Sequence, residues 1–228
     1  MQFQVKKFIM TNKKAFIFDL NGTMVDDMNF HIKAWHDILN SFGAGLTLEQ
    51  VKLECYGKNE ELLERIFPGR FSAAEMASMI EQKEAGYREV FRPHLRLIPG
   101  LDSFLQQAYL RQIPMAIGSA ALPVNIHYVL EGLQISHYFS AIVSAVDVRV
   151  SKPDPETFLS AAEKLGVNPA DCIVFEDAPK GVEAASRAGM KCVVLTTMHP
   201  ANEFSHLPHV LFAAQDYLHP NLTALLLD

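Results

Sequence analysis

The chain has 228 residues, 49% of them hydrophobic and 20% charged, with a formal net charge of −6 at pH 7. This length suffices for one large domain, or for a core with a smaller insert. The negative charge argues against a nucleic-acid or anionic-membrane partner, and no apolar run approaches the roughly 20 residues that span a bilayer. The opening segment MQFQVKKFIMTNKK lacks the long apolar stretch of a signal peptide, and three cysteines show no paired spacing. We therefore expect a reduced, cytoplasmic setting.

Short apolar runs predict the strands of a sheet. They are Ala15–Phe18, Met115–Ile117, Ala141–Val143, Cys172–Phe175 and Cys192–Leu195. Apolar residues at helical spacing predict helices next to the later runs, over Leu101–Leu110, Val124–Leu133, Pro155–Leu165 and Val182–Ala188. Because strands and helices alternate, the sequence predicts an α/β fold with a Rossmann-like parallel sheet and helices on both faces.

The first two runs lie about ninety residues apart, far more than one crossover helix requires. The intervening sequence predicts amphipathic helices over His31–Phe42, Glu60–Phe67 and Ala73–Phe91, without a strand. We therefore predict a helical cap, residues 27–95, inserted into a core of residues 1–26 and 96–228. Its hinges would lie near residues 26–27 and 92–99. Ligands of open parallel sheets bind at the carboxyl ends of the strands, so the cap would cover the site.

Polar residues follow four of the predicted strands. They are Asp19, Asn21, Gly22 and Thr23 after the first, Ser119 and Ala120 after the second, Lys152 after the third, and Glu176 and Asp177 after the fourth. We expect these groups to converge on one edge of the sheet. Such a set suits phosphoryl transfer, because a carboxylate can attack phosphorus and form an aspartyl-phosphate.

Each of these groups has a predicted part in that chemistry. Mg²⁺ prefers hard oxygen ligands, which Asp19 and Asp177 can supply, with Glu176 acting through water. Lys152 adds positive charge opposite the nucleophile and the phosphate oxygens. The hydroxyl of Ser119 and the N–H groups of the turn at Gly22 can donate to the phosphate.

The motifs around these residues resemble those of the haloacid dehalogenase superfamily, in its β-phosphoglucomutase-like branch with a helical cap. The matching stretches are FDLNGT, HIKAWHDIL, IGSAA, SKPDPETF and FEDAPKGVEAASRAG, and they span nearly the whole chain in order. The resemblance implies that Asp19 is the nucleophile and Lys152 its charge partner. It also implies that Mg²⁺ is held by Asp19, the backbone carbonyl of Asn21 and Asp177. The substrate it implies is a small phosphorylated metabolite of the sugar-phosphate kind, and a cap histidine, His31, is a candidate substrate contact.

The sequence departs from that family pattern at Asn21, where the family has an aspartate that carries a proton. General acid–base help of this kind typically contributes about 10²–10⁴-fold to a rate. Three hypotheses follow: substrates with good leaving groups, such as acyl phosphates or pyrophosphate; an acid borrowed from the cap, with His31 the candidate; or a protein that binds phosphorylated ligands with little turnover.

Two further alternatives concern the type of reaction. Similar mutases have a Lys-Asn pair after the serine loop and a cap arginine, whereas this chain has Ala121-Leu122-Pro123 and no arginine in the cap loop, where Lys58 is the candidate substitute. We therefore predict a phosphatase or a mutase-like enzyme. In a metal-independent dehalogenase Asp19 would attack carbon instead, but the adjacent acidic pair argues against it.

Overall fold

The computed structural model describes residues 14–227. The opening segment, on which the expectation about a signal peptide depends, lies outside the described residues apart from Lys14. Within them, six parallel strands form one sheet in the order β3-β2-β1-β4-β5-β6. The strands are β1 (Ala15–Phe18), β2 (Met115–Gly118), β3 (Ala141–Val143), β4 (Cys172–Glu176), β5 (Lys191–Leu195) and β6 (Val210–Ala214). The predicted α/β fold with a parallel sheet is confirmed.

Helices precede or follow the strands along the chain, and the last helix comes after β6. They are α1 (Met28–Ser41), α2 (Leu48–Glu54), α3 (Asn59–Ile66), α4 (Ala73–Phe91), α5 (Leu101–Leu110), α6 (Pro123–Gly132), α7 (Glu156–Leu165), α8 (Pro179–Arg187) and α9 (Pro220–Leu225). The seven predicted helices lie within a few residues of observed ones, and three elements were not predicted: α2, α9 and β6. Helices α2 and α9 are short and bury a single residue each, so neither has a measurable apolar period. No helix among residues 14–227 is long and apolar enough to cross a membrane.

The central strand β1 carries the first predicted site residue to the edge of the sheet. All four of its side chains are fully buried, as expected of a parallel strand covered on both faces. Phe18 stacks on Phe175 of the neighbouring strand with ring centroids 4.6 Å apart, and Ile17 faces the opposite apolar cluster. The amide of Asp19 donates to the carbonyl of Phe175 at 2.9 Å. The ladder therefore extends one residue past β1 and fixes the backbone of Asp19.

Five helices lie between β1 and β2, and α1 to α4 are the first four of them. Their buried side chains form a separate apolar cluster around Trp35 and Leu39. The far end of α4 behaves differently, because Tyr87 and Phe91 pack in the core cluster with Phe18. The helical insert is therefore anchored on the core, and the predicted limits of the cap, 27 and 95, stay a prediction.

Candidate active site

The carboxyl ends of the strands meet around one cavity, as expected for this topology. Eight predicted site residues line it: Asp19, Asn21, His31, Ser119, Ala120, Lys152, Glu176 and Asp177. The hydrophobic walls come from helix α1 and from the loop before α3, with Trp35 and Tyr56 the largest side chains. The predicted residues thus include most of the polar floor of the cavity, but of the cap residues that line it only His31 and Lys58.

A buried lysine joins the carboxylates of two strands at the floor of the cavity. The ammonium of Lys152 donates to Asp19 at 2.6 Å and to Glu176 at 2.8 Å. All three residues are less than a tenth exposed. The second oxygen of Glu176 accepts the N–H groups of Asp177 and Ala178, both at 2.8 Å. Both oxygens of Glu176 are thus occupied in holding Lys152 and the turn, and its predicted part in a metal site stays a prediction.

Burial dominates the ionisation of this cluster. It raises the pKa of Asp19 to about 6; Lys152 opposes that rise and Glu176 adds to it. Burial also raises the pKa of Asp177 well above its usual range, and the negative charges of Glu176 and Asp19 act in the same direction. For Lys152, burial favours the neutral amine, but the two carboxylates outweigh it and the net pKa is raised. Lys152 is therefore charged at neutral pH. Its single positive charge does not balance the carboxylates of Asp19, Glu176 and Asp177.

The turn after β1 holds Asp177 in place rather than facing the cavity. Thr23 is fully buried, and its hydroxyl donates to Oδ1 of Asp177 at 3.2 Å. Gly22 has a left-handed φ of +71°, and a Cβ added there would lie 2.1 Å from Oδ2 of Asp177. Its N–H already donates to the carbonyl of Val25 at 2.8 Å. Gly22 and Thr23 pack against Asp177 and are not among the residues that line the cavity, and their predicted part in substrate binding stays a prediction.

The donor set at this edge fits a hard divalent cation. Asp19 and Asp177 are buried carboxylates without enough cations to balance them, and Asp177 receives one side-chain hydrogen bond, from Thr23. No group of three or more His, Cys, Asp or Glu side chains within residues 14–227 is arranged to hold a metal by itself. Mg²⁺ does not require one, since it commonly binds one or two carboxylates together with water and substrate phosphate.

Asn21 lies beside the cavity, and its amide is tied to the entrance of the cap. Its Nδ2 donates to Oδ2 of Asp27 at 2.6 Å and lies 3.1 Å from Nε2 of His31. Asp27 is fully buried, and it also accepts the hydroxyl of Tyr87 at 2.5 Å. The sequence analysis named Asp27 only as part of a predicted hinge, and its contact with Asn21 was missed. The available signal was a second carboxylate in the loop that carries Asp19.

His31 lines the cavity, and its predicted contact with substrate stays a prediction. Nδ1 lies 2.7 Å from the ammonium of Lys83, which also donates to Glu84 at 3.0 Å. Burial and the charge of Lys83 lower the pKa of His31, whereas Asp27 opposes that shift. His31 is therefore neutral at physiological pH. The pair Lys83-Glu84 was missed, although it stands at helical spacing from the apolar Ile80 and Tyr87 and is buried like them.

The remaining predicted contacts lie across the cavity. Ser119 is buried, and its oxygen accepts the N–H of Ala121 at 3.2 Å. A hydrogen bond from its side chain also lowers the pKa of Asp19, so the hydroxyl lies beside the nucleophile. Lys58, the candidate to replace the missing cap arginine, lines the cavity, but its ammonium donates to the backbone carbonyls of Val148 and Arg149. In this arrangement Lys58 binds the cap to the core.

Comparison with known proteins agrees with this architecture. Residues 16–195 match the family model of the haloacid dehalogenase-like hydrolases. A fructose-1-phosphate phosphatase of Escherichia coli is 30% identical over 78% of this chain and 93% of its own length. A β-phosphoglucomutase of Bacillus subtilis is 34% identical over 79% of this chain and 82% of its own length.

A solved β-phosphoglucomutase structure from Clostridium difficile superimposes with a TM-score of 0.79 at 26% identity, covering 95% of this chain and all of that one. The chain belongs to the haloacid dehalogenase-like hydrolases. Its predicted resemblance to the β-phosphoglucomutase-like branch is confirmed at the level of fold and of relatives.

Proposed function

We propose that this protein is a Mg²⁺-dependent phosphatase that acts on a small phosphorylated metabolite through a phosphoaspartate at Asp19. The observation that carries the proposal is the buried Asp19 carboxylate, 2.6 Å from the Lys152 ammonium on the floor of a cavity that the cap closes. The named activities of the relatives from E. coli and B. subtilis support a sugar phosphate as the substrate class.

The residues divide the chemistry between them. Asp19 attacks phosphorus, and Lys152 keeps its carboxylate ionised and balances charge as negative phosphate approaches. Ser119 donates its hydroxyl to a phosphoryl oxygen, a contact of the kind that stabilises developing charge. Asp19 and Asp177 would hold Mg²⁺, together with the backbone carbonyl of Asn21; the ion supplies charge stabilisation of the phosphoryl oxygens.

The hydrogen bonds of Lys58, the lysine in the cap loop, favour hydrolysis over mutase chemistry. A mutase must hold the second, non-reacting phosphate of a bisphosphate, and charge-assisted bonds supply most of that recognition. Lys58 already donates to two carbonyls of the core. The surplus of buried carboxylates also supports a metal-dependent reaction over a dehalogenase, which has no need of a cation.

The proposal is tested by phosphate release from sugar phosphates, acyl phosphates and pyrophosphate, with Mg²⁺ and with a chelator. We expect release that requires both Mg²⁺ and Asp19, so that Asp19→Asn abolishes it. Turnover that persists in Asp19→Asn contradicts the mechanism. Ligand-dependent stabilisation without any release favours the alternative of a binding protein.

A further inference from the structure

The amide of Asn21 is held in one orientation. Its Nδ2 donates to Oδ2 of Asp27 at 2.6 Å. A carboxylate oxygen accepts hydrogen bonds and does not donate them, so this contact decides which end of the amide faces Asp27. Two other donors hold the carboxylate: the N–H of Gly22 at 3.2 Å and the hydroxyl of Tyr87 at 2.5 Å. Asp27 is a fully buried anchor with donors from the turn, the cap and Asn21 itself.

The other end of the amide has no hydrogen bond to the described residues. Both contacts of the Asn21 side chain run through Nδ2, to Asp27 and to His31, and neither uses Oδ1. Within residues 14–227, no buried side-chain nitrogen or oxygen lacks a hydrogen-bond partner. Oδ1 has no protein partner there and is consequently not buried. Asn21 lines the same cavity as Asp19.

We propose, as an extension of the proposed function, that Asp27 is a positioning residue. It holds Oδ1 of Asn21 toward the cavity, where this oxygen accepts a hydrogen bond from the water that attacks phospho-Asp19. An amide oxygen is not a base at neutral pH, so Asn21 orients the water and does not take its proton. Position 21 is therefore a working part of the site that depends on Asp27.

The step balances without a proton carrier at position 21. The oxygen of the water bonds to phosphorus, and the bond between phosphorus and the Asp19 oxygen breaks. Its electron pair returns to the carboxylate. The water oxygen keeps one proton, and the other passes to a phosphoryl oxygen, so that dihydrogen phosphate leaves.

The test compares Asp27→Ala with Asp26→Ala, the same change at the neighbouring exposed residue. We expect Asp27→Ala to lower kcat for acetyl phosphate about 10-fold, the worth of one oriented hydrogen bond, with KM changed less than about 3-fold. The acid-stable phosphoenzyme formed from ³²P-labelled acetyl phosphate should accumulate, since its hydrolysis is the slowed step. Asp27→Asn should recover most of the rate, because an asparagine there still offers an oxygen to Nδ2.

The proposal is overturned if the Asp27→Ala and Asp26→Ala variants have the same kcat and accumulate the same amount of phosphoenzyme. It is also overturned if Asp27→Ala raises KM and leaves kcat unchanged. The proposal also requires a higher kcat in Asp27→Asn than in Asp27→Ala. If the fold simply needs the carboxylate, both variants will have the same low kcat.

A thermal-unfolding measurement tests the contact between Asn21 and Asp27 without depending on turnover. Asn21→Asp places a carboxylate against that of Asp27, and two negative groups this close destabilise each other. We expect Tm to fall by roughly 3–10 °C for a chain of this size, and to recover when Asp27→Asn is added. An unchanged Tm in Asn21→Asp refutes the inferred contact, even if Asp27→Ala does not fold. If the unmodified protein releases no phosphate, the proposed function fails while this measurement still decides the orientation of the amide.

Discussion

Replacing Asp19 by asparagine is expected to stabilise the metal-free protein while it abolishes turnover. Asp19, Glu176 and Asp177 place three carboxylates around the single ammonium of Lys152, and the asparagine resembles the neutral form of Asp19. The pKa of Asp19 rises from 3.8 to about 6 on burial. At 1.36 kcal/mol per pKa unit, keeping this group ionised in the folded protein costs about 3 kcal/mol above pH 6.

The sign of this effect depends on pH. Because the folded protein binds the proton of Asp19 more tightly than the unfolded chain does, the contribution of this group is fully present below pH 4. It is lost as pH rises through about 6. Asp177 also has a raised pKa, so both proteins should lose some stability as pH rises. The unmodified protein should lose more over that window, because Asp19→Asn has no carboxyl at position 19 to ionise. The difference between them grows from near zero at pH 4 to about 3 kcal/mol at pH 8, or roughly 6–12 °C in Tm.

Thermal unfolding in the presence of a chelator, from pH 4 to pH 8, measures this difference. Asp26→Asn is the matched control, because Asp26 is exposed and lies in the same loop. The reasoning is refuted if Asp19→Asn is no more stable than the unmodified protein at pH 8. A gain of equal size at pH 4 also refutes it, since such a gain does not come from ionisation.

Three other substitutions probe separate parts of the site. Lys152→Met should lower kcat by at least about 10²–10³-fold, measured as phosphate release, because the approaching phosphate loses its fixed positive charge; a smaller loss contradicts that role. Asp177→Ala should remove the rise in Tm that Mg²⁺ gives the unmodified protein, about 2.7 kcal/mol of stabilisation at 100 times Kd, and an unchanged Mg²⁺ titration rules out Asp177 as a ligand. Gly22→Ala should cost about 1–2 kcal/mol for its left-handed φ of +71° and displace Asp177, so both Tm and the Mg²⁺ response should fall; a normal Mg²⁺ response would show that Asp177 is not displaced.

The sequence predicted the floor of the site because topology alone positions it. Asp19, Ser119 and Asp177 directly follow buried parallel strands, and the carboxyl ends of such strands always meet at one edge. Lys152 was found through its motif, since a loop of eight residues separates it from β3. The edge strand β6 was overlooked although its five residues, VLFAA, form an apolar run as long as those of the predicted strands; it is only partly buried.

The groups around Asn21 were harder to predict because they depend on how helices face one another. Lys83 and Glu84 are charged residues on a long helix, and such residues are ordinarily solvated. They are buried here because α4 packs against α1 and presents them to His31 and Asn125. Sequence periodicity gives the face of a helix, but not the partner that the face meets. Asp27 was overlooked for the same reason, since its donor Tyr87 lies 60 residues away.

Polar bonds close the cap over the cavity, and their chemistry bears on how substrate enters. Asn125 of α6 donates to Glu84 of α4 at 2.6 Å, and Ser151 donates to Glu61 at the start of α3. Both acceptors are carboxylates, so each bond contributes about 1.5–3 kcal/mol, and water can replace each partner when the cap opens. The apolar contact of Phe91 with the core has no such replacement. Opening is therefore cheapest at the ends of α3 and α4 that lie over the cavity, and the packed end of α4 is the natural pivot.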